Sequence, residues 1–118
     1  MVSKKDKIKN FKFGLYAEYL VILLYSLKFY NILQHRMRNY AGEIDIICQK
    51  NRQLVFVEVK ARRDEVDDVL CSAFQQNKIR KAAEIFLQKY PKYRDFDLRF
   101  DLVIIRPWRW PIFIENAW

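Results

Sequence analysis

"GEIDIICQKNRQLVFVEVKARR", residues 42–63, decides how this chain is read. Two apolar runs flank a polar centre, as in a β-hairpin, yet Asp45, Glu58 and Lys60 stand inside the runs. Such residues are depleted from strands, and an unpaired charge against a core is costly. Along the second run side chains alternate, so Leu54, Phe56, Glu58 and Lys60 share one face and Val55, Val57, Val59 and Ala61 the other. In the first run Glu43, Asp45 and Ile47 are expected on one face. If Lys50 to Gln53 form the connection, facing residue numbers sum to 103, and Asp45 stands opposite Glu58 with Cβ atoms ~5 Å apart. A slip of one residue would separate them across the sheet. Two carboxylates so close repel unless a cation lies near, and Lys60 supplies part of that charge.

The pair suits phosphodiester hydrolysis. Two carboxylates hold Mg²⁺ or Mn²⁺ and leave positions for water and a phosphate oxygen. The metal polarises the phosphate and acidifies bound water, and a nearby ammonium counters charge developing in the transition state. The bland alternative is an ion pair on an exposed sheet face. The apolar flanks favour function, because charges that break a local pattern tend to be functional.

Outward from the hairpin, residues 14–29 read as a helix apolar nearly all round, hence buried on several sides. At 100° per residue Glu18 shares a face with Val21, Ile22, Tyr25 and Phe29. "NILQHRMR", residues 31–38, alternates as a half-exposed strand. It carries His35, the only histidine of the chain. One histidine and two cysteines without metal-ligand spacing make no zinc site, so His35 is expected to be structural. After the hairpin comes an acidic stretch with Asp64, Glu65, Asp67 and Asp68, read as a solvated loop. Residues 73–90 show the cleanest helical period, in Ile79, Ala82, Ala83, Phe86, Leu87 and Tyr90, with Pro91 as a stop. Its other face carries the cations Lys78, Arg80 and Lys81. "LRFDLVII", residues 98–105, and "IFIE", residues 112–115, are expected strands. Between them "RPWRWP", residues 106–111, interleaves cations with tryptophans, which suits stacking on unpaired bases, or else a turn with its tryptophans folded onto the body.

At 118 residues the chain is one domain with one ordinary core. Residues 1–12 are expected to be a flexible basic start and residues 13–118 the folded unit. Lys and Arg number 22 against 14 Asp and Glu, for a net charge of +8. That excess favours a polyanion partner, nucleic acid first. Cys48 and Cys71 form no disulfide framework and fit a reducing compartment. Within "LYAEYLVILLYSLKFYNILQ", residues 15–34, charges at Glu18 and Lys28 leave an apolar run far short of the ~20 residues a span needs. No small-residue cleavage site follows it, so the expectation is a cytoplasmic protein without a membrane segment.

"GLYAEYL" (14–20), "GEIDII" (42–47), "LVFVEVKARR" (54–63), "RFDLVII" (99–105) and the closing "IENAW" (114–118) together resemble the YraN family of small bacterial proteins. That family sits in the restriction-endonuclease-like PD-(D/E)XK superfamily and is similar to archaeal Holliday-junction resolvases. The resemblance implies an α/β fold with an αβββαβ core, a mixed central sheet flanked by helices. It implies metal carboxylates at Asp45 and Glu58, the Val59 backbone carbonyl near the metal, a catalytic lysine at Lys60, and Glu18 completing the acidic cluster. Ile44 stands where the superfamily's name has proline, and the region after Arg63 is acidic where a glycine-containing loop is expected. The function implied is metal-dependent cleavage of DNA, branched or otherwise structured, with Mg²⁺ or Mn²⁺ as cofactor. DNA stands ahead of RNA as partner, with Lys78, Arg80, Lys81, Arg62 and Arg63 as candidate contacts. A homodimer is expected because a junction has two scissile strands. The rival readings are a nucleic-acid-binding protein that keeps the fold without cleaving, and an assembly factor whose sheet face binds a protein.

Overall fold

A computed structural model describes residues 3–63 and 71–118. Its elements run α1 (Lys4–Leu27), β1 (Asn31–Asn39), β2 (Gly42–Lys50), β3 (Gln53–Ala61), α2 (Ala73–Lys89), a 3-10 turn (Pro91–Tyr93), β4 (Asp97–Ile105) and β5 (Ile112–Ile114). The five strands lie side by side in sequence order. β3 and β4 are parallel and the other neighbours antiparallel, so the sheet is mixed. The connection between the parallel strands contains α2. The αβββαβ order is therefore present, with β5 as an added edge strand.

Each helix covers one face. Ala17, Val21 and Tyr25 of α1 pack on Ile46, Cys48, Val55, Val57 and Val103. Ile79, Ala82, Ala83 and Phe86 of α2 pack on Ile44, Ile47, Leu54 and Phe56. The alternation expected in β3 is thus realised, with Leu54 and Phe56 under α2 and Val55 and Val57 under α1. Phe56 is fully buried and stacks on Phe100 with ring centroids 5.3 Å apart; burying such a ring stabilises by roughly 2–3 kcal/mol. Cys48 and Cys71 are both buried and free. Among the described residues no helix is long and apolar enough to cross a membrane.

Two boundaries differ from the sequence expectation. Residues 4–12, expected to be flexible, are helical: α1 starts at Lys4, where the Ser3 side chain accepts from the Asp6 N–H at 3.1 Å. Ser3 and Asp6 are an N-cap with an acidic first turn, the local signal for a helix start. No apolar stripe marked it, because this stretch has no core beneath it and Ile8 and Phe11 stay exposed. The connection between β2 and β3 is a two-residue turn at Asn51–Arg52, since Lys50 and Gln53 are themselves paired. Asn51 takes φ 54°, a left-handed conformation that asparagine tolerates better than most residues.

A second polar cluster pins the sheet to α1. Asp101, fully buried in β4, accepts from Tyr25 Oη at 2.7 Å, from Arg99 Nε at 2.8 Å and from the Asn116 N–H at 3.0 Å. A buried carboxylate is tolerable only with such partners. It ties α1, β4 and the C-terminal turn together.

Candidate metal centre

The β2–β3 hairpin has the register expected from its sequence. Its ladder runs from Lys50↔Gln53 to Ile46↔Val57. There it ends, although both strands continue, to Gly42 and Ala61. The next facing pair is Asp45 and Glu58. In place of a ladder bond, the Val59 N–H donates to Asp45 Oδ2 at 2.8 Å. The Asp45 carboxylate is therefore wedged between two strands that part around it.

The expected face-sharing of Glu43, Asp45 and Ile47 is not what the fold does. Ile46 packs on the α1 side but Ile44, two residues away, on the α2 side. The strand has rotated at Asp45 and its pleat is broken there. The neighbouring strand breaks in step. Arg36 takes φ 58°, and its flanking residues part, His35 to Glu18 of α1 and Met37 to the α2-side core. Ile47 thus stays in the core, Glu43 reaches the surface beside Arg38 at 3.3 Å, and Asp45 enters the gap.

Glu58 and Lys60 continue the face begun by Leu54 and Phe56. Both side chains are 13% exposed, and Lys60 Nζ lies 3.4 Å from Glu58 Oε1. Burial, and then the charge of Glu58 with which it is in hydrogen-bonding contact, push the Asp45 carboxyl up to about 8. The Val59 N–H opposes this, and Glu18 adds a weaker push. A cation seated at the pair would relieve the repulsion that one ammonium only partly offsets. The N–H and C=O of a strand residue point to the same side, so the Val59 carbonyl also faces the opened gap. Two carboxylates and a carbonyl, all hard oxygen donors, form a set suited to Mg²⁺ or Mn²⁺.

The cleft in front of the pair holds roughly 600 Å³ and is lined by Asp45, Glu58, Arg38, Asn39, Gly42, Glu43, Gln75, Lys78 and Ile79. Its walls are the β1–β2 turn and the first half of α2. Asn39 fastens the one to the other: its Oδ1 accepts from the Ala41 N–H at 3.0 Å and its Nδ2 donates to the Ala82 carbonyl at 3.1 Å. A Cβ added at Gly42 would stand 3.5 Å from the Lys78 carbonyl.

Not every expected residue comes to this cleft. Glu18 is near enough to act on Asp45 but is held elsewhere: His35 Nε2 donates to its Oε1 at 2.7 Å and Arg36 Nε at 3.0 Å. Among the described residues no three His, Cys, Asp or Glu side chains converge as metal ligands. Of the expected nucleic-acid contacts, Lys78 lines the cleft, while Arg80 and Lys81 are exposed further along α2. Arg62 is exposed at the end of β3, and Arg63 lies over the Phe13 ring at 4.8 Å, beside α1. The acidic stretch 64–68 falls outside the described residues. Asn39 and Gln75 carried no sequence signal as cleft residues, because only the packing of the β1–β2 turn on α2 brings them together. Arg36 did carry one, as a cation beside His35 in a half-exposed strand.

A family model described as "Uncharacterised protein family UPF0102" matches residues 17–105. A UPF0102 protein of Parvibaculum lavamentivorans is 42% identical over 111 residues, covering 92% of this chain and 82% of its own. One from Mesorhizobium japonicum is 39% identical over 110 residues, covering 92% and 88%. One from Ehrlichia ruminantium is 38% identical over 120 residues, covering 100% and 94%.

Proposed function

This chain belongs to the UPF0102 family, and from that premise and the geometry of the β2–β3 gap we propose that it is a divalent-metal-dependent nuclease acting on DNA. One observation carries the reading. The Asp45 carboxylate is built into the sheet at the cost of ladder bonds, in contact with Glu58 and backed by Lys60. A solvated surface ion pair requires no such interruption of the two central strands.

Asp45, Glu58 and the Val59 carbonyl are the groups that would hold the ion. Bound Mg²⁺ or Mn²⁺ supplies Lewis acidity toward a phosphate oxygen and a water made acidic enough to attack. Val59 donates its N–H to one Asp45 oxygen, which fixes the carboxylate's orientation at the wall of the cleft. Lys60, held by Glu58, keeps a positive charge where a phosphate would gain negative charge. Lys78 offers a phosphate contact on the α2 wall of the same cleft. Glu18 serves through its charge, with His35 and Arg36 holding it.

The test is cleavage of labelled branched, duplex and single-stranded DNA in Mg²⁺, Mn²⁺ or EDTA, by the parent chain and by Asp45→Asn. Metal-dependent products from the parent alone are expected. Binding without products in every metal would overturn the nuclease and leave a nucleic-acid-binding protein on a nuclease fold.

A further inference from the structure

A second groove opens where β3 and β4 leave the sheet. Ala61 pairs with Ile105, and the Arg62 N–H donates to the Ile105 carbonyl at 2.9 Å, so both chain exits are fixed side by side. The groove holds roughly 520 Å³ between α1 and the β4–β5 connection. Phe13, Tyr16 and Leu20 form one wall, with Arg63 over Phe13; Arg106, Trp108, Arg109 and Trp110 form the other.

Three features of this groove point to one kind of occupant. First, the tryptophans do not fold onto the body: Trp108 is 102% exposed and Trp110 89%. Burying them would stabilise the fold, so their display needs another cause. Pro107 followed by Trp108 at φ 58° has the form of a type II turn, whose third residue is ordinarily glycine or asparagine. A bulky side chain is held out here at a conformational cost. Second, three cations gather at the groove, Arg63, Arg106 and Arg109. Among the described residues no carboxylate lines the groove, and among them Arg106 Nε is buried with no hydrogen-bond partner. Third, the position is right. Arg63 follows Glu58 by five residues, at most about 18 Å of chain, at the same end of the sheet.

We propose that the Trp108–Trp110 groove binds an unpaired, single-stranded stretch of DNA, its bases stacking on the tryptophans and its phosphates paired with Arg63, Arg106 and Arg109. Aromatic faces accept every base, and arginines beside them take the backbone, so the site is tolerant of sequence. This rests on the nuclease reading and narrows it: the substrate carries single-stranded DNA next to the cut, as a junction, flap or overhang does.

Binding is measured in EDTA, with no cleavage required, by anisotropy of labelled oligo-dT and of a blunt duplex. The chains compared are the parent and Trp108→Ala/Trp110→Ala. Both tryptophans are solvent-facing, so the double variant should melt with the parent. It should lose about tenfold or more of its oligo-dT affinity and keep its duplex affinity within about twofold, since phosphate contacts there are untouched. Oligo-dT should quench tryptophan fluorescence in the parent but not the residual Trp118 signal of the double variant. Binding is read without metal and cleavage is tested separately, so a failed nuclease and a failed stacking site give different results. Unchanged oligo-dT affinity in the double variant, or an equal loss on duplex, would overturn the proposal. A parent dimer that the double substitution splits in sedimentation would assign the groove to a second copy of the chain instead.

Discussion

Lys60 and Glu58 are each 13% exposed and 3.4 Å apart, so the ammonium has two separable jobs. In the protein without metal it offsets two neighbouring carboxyls. In the proposed cleavage it would meet charge that exists only in the transition state, and such binding energy appears in rate rather than affinity. Lys60→Ala should therefore lower cleavage by roughly two orders of magnitude or more while DNA affinity barely moves. Metal-free stability should fall by about 1–3 kcal/mol, less than for a wholly buried pair, because Asp45 can take up a proton. Melting without metal and cleavage with it separate the two effects; a large stability loss in a protein that never cleaved would leave Lys60 structural. Asp45 itself makes stability depend on pH. Its carboxyl rises from 3.8 to about 8 on folding, so between these values the folded chain binds the extra proton. Stability from this group is then full below about pH 4 and is lost as pH rises toward 8, by a few kcal/mol in total. In EDTA the parent should melt progressively lower from pH 5 to 8, and Asp45→Asn should lack that component. Parallel profiles would mean that the pair does not hold the proton.

At the scale of elements, α2 carries cations on its outer face. Ser72 caps it, accepting from the Gln75 N–H at 3.2 Å, and its buried Ile79, Ala82, Ala83 and Phe86 turn Lys78, Arg80 and Lys81 outward. If about five phosphates are engaged on duplex DNA, log K should fall against log salt with a slope of roughly −4 to −5. Lys78→Ala should flatten it by about one and, because Lys78 lines the acidic cleft, weaken binding more than Arg80→Ala or Lys81→Ala. A slope near zero would point to a protein partner. The hairpin register was legible in the sequence because alternation and a short connection admit few pairings, and the tighter Asn51–Arg52 turn preserves the same facing pairs. The break of pleat at Asp45 was not legible. Strict alternation assumes that every residue joins the ladder, whereas here a side chain replaces a ladder bond and Arg36 across the way adopts a left-handed φ to follow. The rule that charges inside apolar runs tend to be functional also needs geometry beside it. Asp101 in "RFDLVII" also interrupts an apolar run, yet its strand stays fully paired and its partners Tyr25, Arg99 and Asn116 are all internal. What separates it from Asp45 is an open cleft.

For the whole molecule, the Asp45–Glu58 pair lies where the two cores meet. β2 and β3 carry the α1-side cluster on one face and the α2-side cluster on the other, and the ladder between them stops at the pair. Asp45 on β2 and Glu58 on β3 would hold a proposed ion where backbone bonding between the two strands has been given up. Unfolding separates the donors, so metal affinity becomes folding free energy. At free Mn²⁺ about a hundredfold above its Kd the folded state should gain about 2.7 kcal/mol, raising Tm by about 10 °C in a domain of this size. The metal must displace the proton that Asp45 holds below about pH 8, so the Tm gain at fixed Mn²⁺ should grow as pH rises from 6 to 8. Calorimetric titration at pH 7 should show proton release, read as a dependence of the apparent heat on the buffer's ionisation enthalpy. Asp45→Asn should abolish both the Tm shift and the proton release, whereas Arg80→Ala, remote from the cleft, should preserve them. Equal Mn²⁺ stabilisation of the Asp45→Asn chain would place the ion elsewhere and leave the parted strands without the ligand that their geometry suits.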